Sequence, residues 1–306
     1  MTQTQLAVLT SSVISFPDRG PYGQNSYRGN TSGYPIVAFL QMFHPNRQEL
    51  FVDPTEGSGT SRDVARALGI TYEGFDLRNG FDITMQDLLT ALGNRRPASM
   101  FFHLPYWKQI IYSDSPRDLS NAPTLEAFLE LAQLAVLNGY DALKPGGHYA
   151  FLMGNYRKNG IYYPLASVCE LIMPGKLKEE IIKLQHNTWS GRQSYNGAGT
   201  NFVPIAHEKM LIYEKTEMKF ALDFTIENSL LLMAFKDATW KNIIRRAFMR
   251  HGNGATPMPL EQIYKMVEAS DKARSNPHWQ AKVRQIVREH PDVFRLVERG
   301  VYALAD

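Results

Sequence analysis

Cysteine is almost absent from this chain, because Cys169 is the single one among its 306 residues. One cysteine excludes a disulfide framework and a cysteine-rich zinc site. No apolar run approaches the roughly 20 residues that a membrane-spanning helix needs. Residues 1–5 lack the basic start and the apolar core of a signal peptide. We therefore expect a cytoplasmic protein without a membrane partner.

Metal-binding patterns and nucleotide phosphate loops are missing as well. Four histidines are scattered along the chain without the spacing of a metal site, namely His44, His148, His186 and His207. We expect these histidines to be structural, and we expect no metal ion. The sequence also contains no Gly-Lys-Ser or Gly-Lys-Thr, which argues against a nucleoside-triphosphate P-loop.

The charge of the chain is small but unevenly distributed. In total, 33 Lys and Arg oppose 30 Asp and Glu, which gives a net charge of +3. Residues 240–306 hold 12 Lys and Arg against 7 Asp and Glu, so the positive charge is concentrated there. This concentration favours nucleic acid as a partner of the C-terminal segment, although small domains also carry spare charges without binding anything.

Short apolar strands alternate with helical patterns along the first two thirds of the chain. The pattern predicts strands at 49–53, 71–75, 99–102 and 148–153 and a long helix at 124–143. It also predicts helices at 83–92 and, with interruptions, at 161–177. Such alternation is typical of an α/β fold with a Rossmann-like, doubly wound and mostly parallel sheet.

The pattern changes after residue 217, and we predict three segments. Residues 1–217 form the α/β domain, residues 218–239 form a connector with a helix at 222–235, and residues 240–306 form a small α+β domain. The last segment contains three predicted helices, at 240–250, 260–269 and 279–289, followed by a hairpin. Three helices and a hairpin form the layout of a winged helix, whose third helix enters the major groove of DNA.

A glycine-rich turn follows the first predicted strand, in the segment Asp53-Pro54-Thr55-Glu56-Gly57-Ser58-Gly59-Thr60. Glycines let the backbone approach a ligand closely, and the N-terminus of the following helix offers unpaired N–H groups. Asp76 ends the next strand, 17 residues after Gly59. An acid at this position can accept hydrogen bonds from ribose hydroxyls, or it can cap the next turn.

An aromatic motif, His103-Leu104-Pro105-Tyr106-Trp107, follows the third predicted strand. Ligands of open α/β sheets bind at the carboxyl ends of the strands. Two aromatic side chains on a proline turn suit stacking on a planar base, although a buried aromatic anchor has the same sequence pattern.

Together these motifs resemble those of the DNA N6-adenine and N4-cytosine amino-methyltransferases. The segment Asp53-Pro54-x-x-Gly57-Ser58-Gly59-Thr60 is similar to their cofactor motif D-P-F-x-G-S-G-T, and residues 103–107 are similar to their catalytic D-P-P-Y-W. Residues 26–30 resemble the segment that closes over methionine, and residues 207–215 resemble the closing strand. The resemblance covers roughly residues 20–215, and it implies the fold of the class I S-adenosylmethionine-dependent methyltransferases.

The resemblance also implies roles for individual residues. S-adenosylmethionine is the implied cofactor, a flipped DNA base is the substrate, and adenine N6 is the most frequent target in the family. The implied cofactor-binding residues are Asn30, Asp53, Pro54, Gly57, Ser58, Gly59, Thr60, Asp76 and Asp82. The implied catalytic residues are His103, Leu104, Pro105, Tyr106 and Trp107. Tyr106 stacks on the base and Trp107 supports it.

One residue departs from the family pattern, since His103 stands where the family has Asp. In the family this Asp and the next backbone carbonyl accept hydrogen bonds from the target amine. A histidine can accept only when it is neutral. Two hypotheses remain open on this ground: an active methyltransferase, and a degenerate relative that binds DNA as a regulator. A methyltransferase for RNA or a small molecule is a third alternative.

The expected DNA contacts come mostly from the C-terminal domain. The candidates are Gln280, Lys282, Arg284 and Arg288 on its third helix and Arg157 at the edge of the predicted sheet. The alternative for this domain is packing or dimerisation. The resemblance is typical of bacterial restriction-modification systems or mobile elements, and it leaves monomer and homodimer open.

Overall fold

The computed structural model describes residues 9–186, 202–216, 239–251 and 256–305. The predicted connector, including its helix at 222–235, lies outside the described residues except for its last position. The α/β part contains the strands β1 Val13–Ser15, β2 Leu50–Asp53, β3 Thr71–Gly74, β4 Ser99–Phe102, β5 His148–Gly154, β6 Tyr156–Lys158, β7 Ile161–Tyr163, β8 Lys176–Leu184 and β9 His207–Glu214. Its α-helices are α1 Tyr34–Phe43, α2 Thr60–Leu68, α3 Leu88–Ala91, α4 Leu125–Ala142 and α5 Leu165–Glu170.

Seven strands form one twisted sheet in the order β1-β8-β9-β5-β4-β2-β3. Strand β9 runs antiparallel to both neighbours, β5 and β8, while the other strand pairs are parallel. The predicted mostly parallel sheet is therefore confirmed. Strand β1 pairs with β8 at one edge, in a segment where the sequence predicts no regular structure.

Helices cover both faces of the sheet, as the doubly wound prediction requires. Neighbouring strand residues point to opposite faces, so Phe51 packs with α1 and α2, whereas Val52 packs with α3 and α4. All of these strand side chains are buried; β2 has no exposed position. The near-continuous apolar strands that the sequence shows are the consequence of burial on both faces.

Two predicted helices are corrected by the structure. In the segment 83–92, only α3 is α-helical, because Asp82 Oδ1 accepts hydrogen bonds from the Thr84 N–H and hydroxyl and holds a turn there. In the segment 161–177, β7 and α5 replace one long helix. Asn159 and Gly160 both have positive φ, 52° and 79°, which is the backbone of a type I′ hairpin turn between β6 and β7.

The C-terminal part has its own small core. It contains α6 Trp240–Arg250, α7 Leu260–Val267, α8 Asp271–Arg274 and α9 Trp279–Glu289, with β10 Met258–Pro259, β11 Phe294–Glu298 and β12 Val301–Leu304. The three strands form a separate antiparallel sheet in the order β10-β12-β11. The predicted third helix and the last strand have the predicted bounds, whereas β10 and α8 are additional elements.

Helix α6 attaches this C-terminal part to the α/β part. Arg245 donates two hydrogen bonds to the carboxylate of Asp141 on α4. Each of the two side chains is only 8% exposed. Lys241 donates to Asp87, the N-cap of α3. Leu134 of α4 packs into the C-terminal core.

Cys169 is fully buried in the α/β core, and burial raises the pKa of its thiol to about 12. In the described part of the chain, no helix combines the length and the apolar character needed to cross a membrane. Within the same residues, no three His, Cys, Asp or Glu side chains gather as a metal-binding group.

Candidate functional site

A cavity of about 850 Å³ lies at the carboxyl ends of the parallel strands. Parallel strands end at the same edge of a sheet, so this edge collects the residues that follow β1, β2, β3, β4 and β8. Of the fourteen residues predicted for cofactor binding and catalysis, twelve line this cavity. Gly59 and Trp107 do not line it.

The glycine-rich turn between β2 and α2 forms one wall. Gly57 and Gly59 have φ of 54° and 84°, conformations that side-chain-bearing residues rarely adopt. Gly59 is the N-cap of α2, so its role is to redirect the backbone. The Asp53 carboxylate is buried and accepts hydrogen bonds from the Thr55 N–H and the Ser61 hydroxyl. Burial raises the pKa of Asp53 to about 7, against the lowering effect of these hydrogen bonds.

Asp76 lies at the predicted position, but protein groups already use much of its carboxylate. Its Oδ2 accepts from the Gly57 N–H at 2.9 Å, and its Oδ1 accepts from the Arg78 N–H and Nε, each at 2.9 Å. The capping role that the sequence allows is therefore present, and ribose binding stays a prediction for a residue that also lines the cavity. A carboxylate has about four acceptor positions, so one remains for a ligand.

Asp82 has a different environment from Asp76. Its side chain is 3% exposed, and Oδ1 accepts two hydrogen bonds from Thr84. Its other oxygen, Oδ2, is buried and has no hydrogen-bond partner. Asp82 and Phe81 both line the cavity, so this buried, unpaired acceptor belongs to a residue at the cavity wall.

The motif after β4 forms the opposite wall. The Tyr106 and His103 rings are nearly perpendicular, at 83°, with 5.7 Å between their centroids. Trp107 packs behind them, donating its Nε1 hydrogen to the Ala122 carbonyl at 2.8 Å and contacting Tyr163 edge-on. Tyr106 and His103 thus form a corner that faces the cavity, and Trp107 supports this corner from outside.

Two charged residues, which the sequence analysis did not assign to the site, contact this corner. Glu208 on β9 accepts a hydrogen bond from the Tyr106 hydroxyl at 2.6 Å, and Lys183 on β8 donates to Glu208 at 2.5 Å. Their side chains are 7% and 11% exposed, and both residues line the cavity. The sequence does not distinguish them, because β8 (KLKEEIIKL) and β9 (HEKMLIYE) each carry other charged residues as well.

The pKa values at this corner follow from burial and from the ion pair. Burial raises the pKa of Glu208, but Lys183, His103 and the Tyr106 hydrogen bond outweigh it and bring the pKa to about 2. Burial lowers the pKa of His103, and Lys183 lowers it further, whereas Glu208 raises it. Burial, with Glu208, also raises the pKa of Tyr106 well above its ordinary value. At neutral pH, His103 is neutral and Tyr106 is a hydrogen-bond donor.

Residues 20–34 cover the cavity from the side of α2. Asn30 accepts a hydrogen bond from the Thr60 hydroxyl at 2.5 Å, and the Gly23 N–H donates to Asp63. Tyr27 stacks on Tyr112, with 5.8 Å between ring centroids, and the Arg78 guanidinium lies 4.9 Å from the Tyr27 centroid on the ring face. The stacking of Tyr27 on Tyr112 joins residues 20–34 to the loop that follows residues 103–107.

The residues predicted to contact DNA lie outside the cavity. On α9, Gln280, Arg284 and Arg288 are four residues apart and share one side of the helix, whereas Lys282 projects from another side. Gln280 and Arg288 are exposed, while Arg284 donates to the Tyr264 hydroxyl at 2.9 Å. Arg157 on β6 packs its guanidinium over Tyr162 and Phe202.

No protein-family model matches the chain, and no curated protein matches it. Solved structures with partial similarity include TrmN from Thermus thermophilus, at 14% identity and a TM-score of 0.37, covering 62% of this chain and 50% of TrmN. A candidate DNA modification methylase from Thermus thermophilus has 19% identity and a TM-score of 0.23, covering 29% and 37%.

A third similar structure is the 1,6-didemethyltoxoflavin-N1-methyltransferase of Burkholderia thailandensis, solved with bound S-adenosylhomocysteine. It has 14% identity and a TM-score of 0.29, over 60% of this chain and 78% of that protein. The chain thus spans half of TrmN and about a third of the candidate DNA methylase.

Proposed function

We propose that this protein transfers a methyl group from S-adenosylmethionine to the exocyclic amine of a flipped DNA base, with adenine N6 as the target. One observation carries the proposal. A single cavity joins the glycine turn and the unpaired Asp82 oxygen, at one end, to the corner of Tyr106 and His103, at the other. The rest of the proposal follows from the chemistry of these two ends.

The first end fits the cofactor. The unpaired, buried Asp82 Oδ2 suits the exocyclic amine of an adenine ring, which is a hydrogen-bond donor. The open acceptor position of Asp76 suits a ribose hydroxyl, and the turn at Gly57 admits the methionine part close to its backbone. When bound, S-adenosylmethionine supplies an activated methyl group, and the chain itself supplies position and exclusion of water.

The second end fits a planar base. The Tyr106 ring provides a stacking face, and the Leu104 backbone carbonyl and the neutral His103 ring can each accept a hydrogen bond from an exocyclic amine. These bonds orient the amine lone pair toward the methyl group. In the transfer, an N–C bond would form as the S–C bond of the sulfonium breaks, S-adenosylhomocysteine would be the leaving group, and the amine nitrogen would release its proton to water.

DNA as the substrate is supported by the positive charge of residues 240–306 and by the element order of the C-terminal part. We interpret α6, α7 and α9 with the strands β10–β12 as a winged helix, and we propose the boundaries 1–217, 218–239 and 240–306 for the units of the chain. Gln280 and Arg288 are its exposed candidates for DNA contact, together with Lys282, Arg284 and, on the α/β part, Arg157.

A second candidate function is a DNA-binding regulator with a disabled methyltransferase site. The observation that favours it is His103 in place of an acid. RNA or a small molecule is the alternative substrate class for an active enzyme.

The deciding experiment measures transfer of labelled methyl from S-adenosylmethionine to duplex DNA and to structured RNA, followed by mass analysis of the nucleosides. We expect N6-methyladenine in DNA from the wild-type protein. The Tyr106→Ala variant should lose at least about a hundredfold of this activity, because the stacking wall is removed. A Tyr140→Ala variant, altered at a buried tyrosine of α4 that does not line the cavity, is the matched control for stability.

The other outcomes separate the alternatives. N4-methylcytosine would retain the mechanism and change the target base, and methylated RNA would change the substrate class. No transfer to any substrate, from a protein that still binds S-adenosylmethionine in calorimetry, would contradict the enzymatic proposal and favour the regulator.

A further inference from the structure

The pair of Lys183 and Glu208 is a buried ion pair beside the catalytic corner, and the packing of the sheet does not require it. In register, Glu208 lies opposite Gly154 on β5 and opposite Lys183 on β8. Neighbouring positions of these strands are filled by apolar side chains such as Met210 and Ile181, which are fully buried. Burying two charges costs more solvation energy than burying an apolar pair of the same size. A role at the cavity is a reason for keeping them.

Geometry connects this ion pair to Tyr106. The Tyr106 hydroxyl donates to Glu208 Oε1, while Lys183 donates to Glu208 Oε2, so the two oxygens serve different partners. Gly154 provides the space for this arrangement. A Cβ at Gly154 would lie 3.0 Å from Glu208 Cγ and 3.1 Å from the Tyr106 ring and hydroxyl. The para hydroxyl of Tyr106 is thereby fixed, which holds the ring at one angle to His103.

Charge connects the same pair to His103. The charged groups that act on the His103 ring are Glu208 and Lys183, and the centroid of the Tyr106 ring lies 5.7 Å from that of His103. Among these, Glu208 favours the imidazolium and Lys183 opposes it. The two charges act on the pKa of His103 in opposite directions, so Lys183 offsets part of the effect of Glu208.

We propose that Lys183 and Glu208 are positioning residues of the methyl-transfer site: Glu208 holds the Tyr106 ring in place through the tyrosine hydroxyl, and Lys183 offsets the charge of Glu208 beside His103, so that the histidine can accept a hydrogen bond from the target amine. The inference rests on the proposed function for its catalytic meaning. His103 stands where the family has an acid. A histidine can replace that acid as a hydrogen-bond acceptor only while its accepting nitrogen carries no proton.

The test uses the full chain and three variants of the ion pair. Lys183→Met leaves Glu208 unbalanced and should raise the pKa of His103 by about one unit. Glu208→Gln keeps an amide oxygen for Tyr106, leaves Lys183 unbalanced and should lower the pKa of His103 by a similar amount. The double variant removes both charges, and the pKa of His103 should return close to that of the wild type.

The pKa is measured by NMR titration of the histidine ring resonances, and a His103→Gln spectrum identifies the His103 signal among the eight histidines. Lys144→Met is the matched control. It breaks an ion pair with Glu49 at the opposite, amino-terminal edge of the sheet, and it should leave His103 unchanged while shifting His44.

Activity gives the second measurement. The acidic limb of the plot of kcat/KM against pH should move to higher pH in Lys183→Met and to lower pH in Glu208→Gln. In the double variant it should lie close to the pH of the wild type. Tyr106→Phe, which keeps the ring and loses the hydroxyl, should lower kcat about tenfold without changing the Kd for S-adenosylmethionine.

Shifts of His103 in the same direction in both single variants, or none in either, would overturn the inference. If Lys183→Met fails to fold, Glu208→Gln alone still tests the inference. A purely structural role of Glu208 does not predict that this variant lowers the pKa of His103. The NMR titration needs no methyl transfer. An inactive wild type with opposite shifts would therefore contradict the proposed function and leave the electrostatic role of the pair intact.

Discussion

Asp82 illustrates how much a single buried atom can contribute to the site. Its two oxygens have different environments, since Oδ1 accepts hydrogen bonds from Thr84, whereas Oδ2 is buried without a hydrogen-bond partner in a residue that lines the cavity. An unpaired buried acceptor costs free energy in the absence of a ligand. A ligand that donates a hydrogen bond there recovers this cost, so the affinity for such a ligand should depend on this atom.

We predict that Asp82→Asn weakens binding of S-adenosylmethionine about ten- to a hundredfold. The Thr84 N–H and hydroxyl both donate to Oδ1, so the amide oxygen must take that position. The amide NH2 then takes the position of the unpaired Oδ2, where it replaces an acceptor by a donor. Isothermal titration calorimetry measures the effect, and Asp292→Asn, at an aspartate that is 42% exposed in the C-terminal part, is the control. Equal affinities of all three proteins would argue against an adenine ring beside Asp82.

At this scale, the sequence identifies residues in recognisable motifs and misses those that only the sheet brings together. Asp53, Asp76 and Tyr106 follow strands in a pattern, and the structure brings them to one cavity as predicted. Lys183 and Glu208 are 25 residues apart and become neighbours through the antiparallel register of β8 and β9. No short-range pattern encodes that pairing.

Among the elements, the turn between β2 and α2 has two properties: its glycines adopt a left-handed backbone, and part of it lines the cavity. Gly57 and Gly69 flank α2, with φ of 54° and 66°. The conformation is the same at both positions, but only Gly57 lines the cavity. A Cβ at Gly57 would lie 3.6 Å from the Tyr27 ring, whereas a Cβ at Gly69 would meet nothing within 4 Å.

We predict that Gly57→Ala and Gly69→Ala each lower the free energy of unfolding by about 1 kcal/mol, because alanine pays the same penalty for a left-handed backbone. Only Gly57→Ala should also weaken cofactor binding, since its methyl group occupies cavity space. Urea denaturation and calorimetry provide the two measurements. If Gly69→Ala lost as much affinity for the cofactor as Gly57→Ala, the weaker binding would result from lower stability and not from the methyl group in the cavity.

The sequence pattern predicts the bounds of α4, α9 and β4 to within one residue, but it does not predict β6, β7 or α8. Helix α4 begins after Thr124, whose hydroxyl caps it, and it ends at Ala142, one residue from each predicted bound. Strand β7 was assigned to a helix, because a helical spacing of apolar residues continues from Ile161 into α5. The turn at Asn159 and Gly160 was the decisive local signal.

For the molecule as a whole, two ion pairs between the C-terminal part and the α/β part differ in burial. Arg245 and Asp141 are both nearly buried, so removal of either partner leaves an uncompensated charge in a poorly hydrated place. Arg96 and Asp292 also join the two parts, but this pair is exposed and 3.4 Å long. The two pairs should therefore differ in their contributions to stability.

We predict that Asp141→Ala lowers the free energy of unfolding by about 3–5 kcal/mol, and that Asp292→Ala lowers it by at most about 1 kcal/mol. The double variant Asp141→Ala with Arg245→Met should recover most of the loss, because no charge remains unpaired. Denaturant unfolding followed by circular dichroism measures all of these changes. Equal effects of the two single alanine variants would mean that the buried pair is hydrated in solution.

The single buried thiol has a practical consequence. With its pKa near 12 and no exposure, Cys169 offers no thiolate to maleimide reagents at neutral pH. The native chain thus has no competing site for labelling, and no cysteine must first be removed. One cysteine introduced at exposed Gln280 and another at exposed Arg66 would carry a donor and an acceptor fluorophore. Energy transfer between them would report whether the C-terminal part moves against the α/β part when S-adenosylmethionine and DNA are added.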